Sequence, residues 1–374
     1  MRLPLWVFLA LSAFAAALLG GAAGGRAAAL HLMLAVGAMP LIFAAMTHFI
    51  PVLTRLRAAP AGLAWTPLLA LAGGVWIWGT LGFPERIGSG VLGAVPAGAA
   101  AAALLLWSRR RRATMLGRPH PGLAWYEAAL ACLCLALAAI LASAVWPWQA
   151  AALRLLHLHL NTLGFIGLTA VGTLAVLLPT AVGRPDPESG RWLRQALPWT
   201  AAGTVLVAAG AAWFGPLAWL GAVLWAIPLV RLGARWLRLY RAEILAMHGA
   251  APLLAAALAG LVLSMLFGAI AWRFAAIAPA AAFVAGFLLP LVAGAASQLL
   301  PVWLRPGVQT AWHDALRAKL GRHGGIRAAL FLVAGFAAGL GAAWGLPLGA
   351  AALLWFMLQA VAALAQSLRK ENPL

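Results

Sequence analysis

Twelve apolar segments of about 20 residues follow one another along this chain, separated by short polar connections, and that succession dictates its fold class. They lie near 4–21, 29–53, 62–81, 88–107, 122–146, 155–181, 195–213, 217–234, 243–270, 277–303, 327–344 and 347–367. An apolar run of about 20 residues is long enough for an α-helix to cross the hydrocarbon core of a bilayer. The expected fold is all-α: a polytopic membrane protein whose 12 transmembrane helices form one domain over residues 1–374. Charged residues make up 9% of the chain, against roughly 25% in a soluble domain. The connections leave no room for a soluble domain.

The net charge of +19 resembles a nucleic-acid signal until its distribution is read. With the N-terminus in the cytoplasm, the inner loops hold Arg55, Arg57, Arg109 to Arg112, Arg118, Arg184, Arg191 and Arg194. They also hold Arg231, Arg235, Arg238, Arg241, Arg305, Arg317, Lys319, Arg322 and Arg327. The termini add Arg2, Arg369 and Lys370, for 22 inside against four outside, namely Arg26, Arg86, Arg154 and Arg273. This is the positive-inside pattern of a membrane protein. The expected partner is therefore the lipid bilayer and not nucleic acid, with both termini cytoplasmic. Residues 1–20 also fit a signal peptide, but losing them would break the charge count and the repeat below. Of the 26 basic residues 24 are Arg, in keeping with a GC-rich bacterial genome and an inner-membrane location. Cys132 and Cys134 lie within the fifth segment, away from any outer loop. Trp146, Trp148, Trp213, Trp272 and Trp344 fall at expected outer helix ends, as an interfacial belt requires.

Internal similarity divides the twelve segments into three units of four. Pro51, Pro179 and Pro301 stand in HFIPVLTR, VLLPTAVGR and QLLPVWLR, 128 and 122 residues apart in a chain of 374. Gly37, Gly164 and Gly286 precede them by about fifteen residues. The third helix of each unit ends in a Trp and a Gly/Pro turn: Trp78 with Gly82 and Pro84, Trp213 with Gly215 and Pro216, Trp344 with Gly345 and Pro347. The repeats span approximately 1–120, 121–241 and 242–374. Three units of four differ from the two halves of six in major-facilitator transporters.

Counting back 20 residues from each aligned proline gives His31, His159 and Ala281. Twenty residues of helix span about 30 Å, the thickness of the hydrocarbon core. His31 and His159 are thus expected at one depth near the outer surface, where two neutral imidazoles could ligate one metal from opposite sides, as in a bis-histidine haem. His157 lies two residues before His159, about 200° around the helix. The two cannot serve one iron, and His157 would face a second site or lipid headgroups. A lone histidine at a membrane edge is commonly an interfacial anchor, and only the equivalence of His31 and His159 argues for more. Arg26, Arg154 and Arg273 occur at the same outer level, suited to haem propionates or lipid phosphates.

The other candidates are weaker. His48 and His248 stand near inner helix ends, where an inner metal site would need both, and His120, His313 and His323 fall in basic loops. Met33, Met39 and Met46 on the second helix suit copper(I) or core packing. Cys132 and Cys134 diverge around their helix and suit small-residue packing. No Cys-x-x-Cys-His occurs, which excludes covalently attached haem.

At His157 the sequence resembles subunit I of the haem–copper oxidase superfamily, particularly its cbb class. The shared pattern is His157, His159, Leu163, Gly164, Phe165, Gly167, Leu178, Pro179, Gly183 and Arg184, within a twelve-helix plan of three groups of four. The resemblance implies haem b, one or two copies, with His31 and His159 on a low-spin haem and His157 on a second. It places the His-x-His on helix 10, whereas here it is on helix 6. The copper-site histidines have no counterpart, and Tyr126, Tyr240 and Glu127 lie at inner helix ends. Oxygen reduction and proton pumping are therefore not expected. The resemblance implies a role nearer to that of the NnrS-like haem- and copper-containing membrane proteins linked to nitric oxide stress than to that of an oxidase. The expected function is electron transfer, with a redox partner or quinol, or binding of a diatomic gas such as nitric oxide. The competing expectation is a copper or haem transport or assembly factor using the same histidines.

Overall fold

The computed structural model describes residues 3–20, 25–56, 58–83 and 86–369, without the side chains of Ile87, Leu368 and Arg369. Arg2, Arg57 and Lys370 of the charge count, and Pro84 of the turn pattern, lie outside the described residues, as does the side chain of Arg369. Among the described residues the fold is all-helical with no strand. We number the helices α1 (Leu3–Leu19), α2 (Gly25–Thr54), α3 (Ala61–Leu81), α4 (Gly88–Thr114), α5 (Gly122–Val145), α6 (Pro147–Val182) and α7 (Ser189–Ala212). Then come α8 (Gly215–Ile244), α9 (Ala251–Ile270), α10 (Pro279–Leu304), α11 (Ala311–Gly321), α12 (Gly324–Gly339) and α13 (Gly345–Arg369).

Every one of the twelve apolar segments is helical, and nine of the described helices are long and apolar enough to cross a membrane. The three that fall short have physical reasons. Helices α1 and α12 have 17 and 16 residues. Helix α7 begins with Arg191 and Arg194 and carries Gln195, Pro198, Thr200 and Thr204 in its body. Helix α11 occupies a stretch expected as a loop. Thr310 starts it through a capping box in which the His313 imidazole accepts the Thr310 backbone N–H at 3.0 Å, satisfying an end that would otherwise be orphaned.

Contacts separate the chain into two bundles. Of the described residues, the first holds those within 3–173 and 187–228, the second those within 174–186 and 229–369. In the first, Trp125 stacks on Trp192 at 5.7 Å and donates its indole N–H to the Leu193 carbonyl at 2.9 Å. Trp225, fully buried, donates to the Thr204 hydroxyl at 3.0 Å. In the second, Asp186 is buried and paired with Arg235. Beside them Arg184 pairs with Glu243 at 2.6 Å and Tyr240 donates to the Arg184 carbonyl at 3.1 Å. Arg327, counted above as a surface cation, is instead fully buried. Its guanidinium donates to the Leu320 carbonyl at 2.9 Å, so it neutralises the carbonyl end of α11.

Three helices share an unusual local structure. Helices α2, α6 and α10 each contain a π-helical stretch, at Leu32–Ala38, Leu160–Gly167 and Phe283–Leu288. These end 13, 12 and 13 residues before Pro51, Pro179 and Pro301. Pro40 and Pro290 follow two of them by two residues. Lacking an N–H, each proline frees a carbonyl of the preceding turn, and a widened turn is one way to re-pair the rest. Glycines of neighbouring helices pack against backbone carbonyls of these stretches. A Cβ placed on Gly74 would stand 2.3 Å from the Ala35 carbonyl oxygen, and one on Gly260 would stand 1.8 Å from that of Gly286. Only a residue without a side chain allows this approach.

Two expectations follow. Gly260→Ala should destabilise the folded state by about 3 kcal/mol or more, as overpacking against backbone does. Gly268→Ala, with nothing within 4 Å of the new methyl, should be neutral or stabilising. Thermal unfolding in detergent distinguishes them. The second concerns His120, in the turn before α5, whose Nδ1 accepts the Gly122 N–H at 3.1 Å. Burial, then nearby Arg194 and Arg55, hold its pKa below the ordinary value. The unfolded chain therefore binds its proton more readily, and stability should fall as pH drops below about 6.5. His120→Asn should flatten that acid limb of the stability profile.

Candidate functional site

Two of the expected ligands are on α6 and one is on α2, all in the first bundle. His31 immediately precedes the π stretch of α2, and His159 immediately precedes that of α6. The rings of His31 and His157 are stacked, with centroids 6.5 Å apart and planes within 13° of parallel. The partner of His31 is therefore His157, not the expected His159. Since His157 and His159 leave α6 about 200° apart, only one of them can turn toward α2. A count of depth could not say which.

Each ring is tethered through one nitrogen. His31 Nδ1 lies 2.8 Å from the Ala27 carbonyl, His157 Nδ1 lies 2.9 Å from that of Ala136, and His159 Nδ1 lies 2.9 Å from that of Leu155. A carbonyl only accepts, so Nδ1 carries the proton in each neutral ring and Nε2 keeps its lone pair. This is the tautomer a metal-binding histidine needs, with the tether acting as the outer contact that fixes ring orientation. Ala136 is on α5, so His157 is oriented by a second helix, whereas His31 and His159 use the turn before them.

Asn161 is a site residue that sequence reasoning missed. Its amide donates to the His157 carbonyl at 2.9 Å, and the same nitrogen lies 3.3 Å from His157 Nδ1 and 3.4 Å from Nε2. The available signal was that Asn161 is the one asparagine in any of the apolar segments, where such a side chain is costly and usually functional.

The arginines divide between the bundles. Arg26 and Arg154 belong to the first and make no ion pair with a carboxylate among the described residues. Arg273, exposed, belongs to the second. Met33, Met39 and Met46 are all buried core residues. Cys132 packs on Gly164, where a Cβ would stand 2.6 Å from its own. His248 packs against His323, ring centroids 5.4 Å apart. Glu127 is buried and engaged by Arg112 at 2.6 Å and Ser108 at 3.0 Å, and Tyr126 bonds Thr173 at 3.0 Å. Among the described residues no three His, Cys, Asp or Glu side chains converge on a point that could hold a metal ion. What the arrangement offers is a pair of imidazoles.

Comparison with protein-family models, with curated proteins and with solved structures finds no match to this chain.

Proposed function

We propose that this protein is a b-type haem protein of a bacterial inner membrane, with His31 and His157 as the two axial ligands of one haem. The ring pair carries this reading. Two imidazoles sharing one metal at about 2.0–2.1 Å per bond hold their ring centres roughly 6 Å apart, close to the 6.5 Å observed. Both rings keep Nε2 as the available donor. Two ligands suffice for a haem, whose macrocycle supplies the other four, whereas a bare structural zinc ion would require more.

When bound, the haem supplies a one-electron iron centre, or a site for a diatomic gas such as nitric oxide where one axial position is open. The chain's own groups do the rest. The Ala27 and Ala136 carbonyls fix the two rings. Asn161, within 3.4 Å of His157 Nε2, holds an amide donor where a ligand on that side would meet it. Arg26 and Arg154 would receive carboxylates at the outer edge of the site. His159, with its own tether and on the opposite side of α6, would hold a second haem.

The reading extends to the architecture: twelve spans in three repeats of four on the plan of haem–copper oxidase subunit I, with both termini cytoplasmic. The three π stretches in phase with Pro51, Pro179 and Pro301 support it. So do the neighbouring small-residue pairs Gly73–Gly74, Gly203–Thr204 and Ala334–Gly335. In each pair the first residue meets the following helix, at Gly93, Gly221 and Gly349, and the second meets the π stretch, at Ala35, Gly164 and Gly286. Setting the buried Arg327 aside leaves 21 inner basic residues against four. Reporter fusions after Arg273 should read as periplasmic and those after Arg322 as cytoplasmic.

The decisive measurement is a reduced-minus-oxidised spectrum of protein purified from cells well supplied with haem, followed by carbon monoxide. Sharp α and β bands insensitive to carbon monoxide are expected, lost in His31→Ala and His157→Ala and retained in His159→Ala. Loss in His159→Ala with retention in His157→Ala would restore the pairing implied by the family resemblance. Absence of a Soret band, with copper bound instead, would favour a copper-handling role.

A further inference from the structure

The second bundle carries an apolar furrow that the haem reading does not use. It runs between the last part of α8 and helices α9 and α12, as a cavity of about 850 Å³ walled by Gly233, Leu237, Pro252, Ala259 and Leu332. Beyond Leu332 it continues as a hollow of about 420 Å³ past Leu263 and Phe336 to Trp344. From Ile326 to Leu340 the wall of α12 climbs about 21 Å, most of a hydrocarbon core.

Its two ends differ chemically. At the arginine-rich end the furrow begins where the turn after α8 is locked to the turn before α12. There Gly325 N–H donates to the Met247 carbonyl at 3.0 Å, and Gly249 N–H donates to that of Gly321 at 2.8 Å. Exposed Arg241 and Arg322 each stand three residues before a residue of this mouth, Ile244 and Gly325, and His323, next to Arg322, packs on His248. Trp236, five residues before Arg241 and on the far side of a kink at Tyr240, forms part of the wall. It is 1% exposed, yet its indole N–H has no acceptor in the protein. A buried donor left unpaired is costly enough to expect a partner from outside the chain. Past Trp236 the wall is apolar.

Cationic mouth, single hydrogen-bond donor and apolar trough follow in the order phosphate, ester carbonyl and acyl chain of a phospholipid. We infer that the furrow is a binding site for one anionic phospholipid of the leaflet on the arginine-rich side. Its phosphate meets Arg241 and Arg322, an ester carbonyl accepts from Trp236 Nε1–H, and its chains lie along α9 and α12. A quinone would leave the cations unused, and a helix from a second copy would bring no acceptor for the indole. The inference stands independently of the haem reading.

The test is native mass spectrometry of the full-length protein, equilibrated with mixed micelles holding equal phosphatidylglycerol and phosphatidylcholine. One phosphatidylglycerol per chain should be retained preferentially. Trp236→Phe, which removes the donor and keeps the ring, should weaken retention by about two- to tenfold, the worth of one hydrogen bond. Arg241→Gln with Arg322→Gln should abolish the preference for the anionic lipid. Ala259→Phe, placed on an exposed position of the wall, should lower retention of both lipids. Equal retention of the two lipids by the unaltered protein would overturn the inference. So would an unchanged preference in the double glutamine variant, or displacement of the phospholipid by a quinone or a second chain. Should Ala259→Phe fail to fold, the exposed arginine pair still decides.

Discussion

Inside a hydrocarbon layer a carbonyl freed from its helix must be covered by another part of the protein, because no water reaches it. Pro40 and Pro290 free such carbonyls in the middle of α2 and α10. Gly74 and Gly260 close over the oxygens of Ala35 and Gly286 at distances that no side chain would permit. Weak Cα–H···O contacts of this kind contribute about 0.5–1 kcal/mol each. Their larger effect is to bring the helices close enough for dispersion contacts along their length. The π stretches of α2 and α10 and the glycine contacts on them accompany these prolines, while His31 and His159 stand directly before the π stretches of α2 and α6. In α6 no proline plays this part. Leu168 stands at the corresponding place, and its N–H reaches the carbonyls of Leu163, Gly164 and Phe165 instead.

The helical fold was almost fully legible in the sequence, since the apolar segments, their spacing and their charge-flanked ends report directly on a bilayer. The nature of three segments was less so. The hydropathy of α7 is diluted by Gln195, Pro198 and its threonines, and α1 and α12 are short. Helix α11 was invisible as a helix because its capping depends on His313 folding back to Thr310, a contact that composition does not reveal. Arg327 was misread because a count of charges cannot tell an arginine facing headgroups from one pointed at the carbonyl end of a neighbouring helix.

For the candidate site, the histidines and their equal spacing from Pro51 and Pro179 were legible, and the azimuth was not. Equal spacing from Pro51 and Pro179 selected His31 and His159. The ring that turns toward His31 is set by rotation about α6, which the Ala136 carbonyl of another helix helps to fix. A π stretch adds further rotation that no fixed residue period anticipates. Asn161 shows the same limitation: its rarity in an apolar segment was visible, while its contact with His157 required the turn to be built.

The stretch after Ala281 differs from those after His31 and His159 in what surrounds its π turn. At the position of His31 and His159 stands Ala281, and the following turn holds Phe283 and Phe287 with ring centroids 4.9 Å apart. Gly260 and Gly335 both pack on Gly286, five residues further along. In the first bundle Gly164 meets the side chains of Cys132 and Thr204, and Gly37 meets that of Phe14, where the third π stretch has glycine backbone. On the repeat reading, the three π stretches share one backbone form and differ in the side chain set before them: an imidazole at His31 and His159, a methyl group at Ala281.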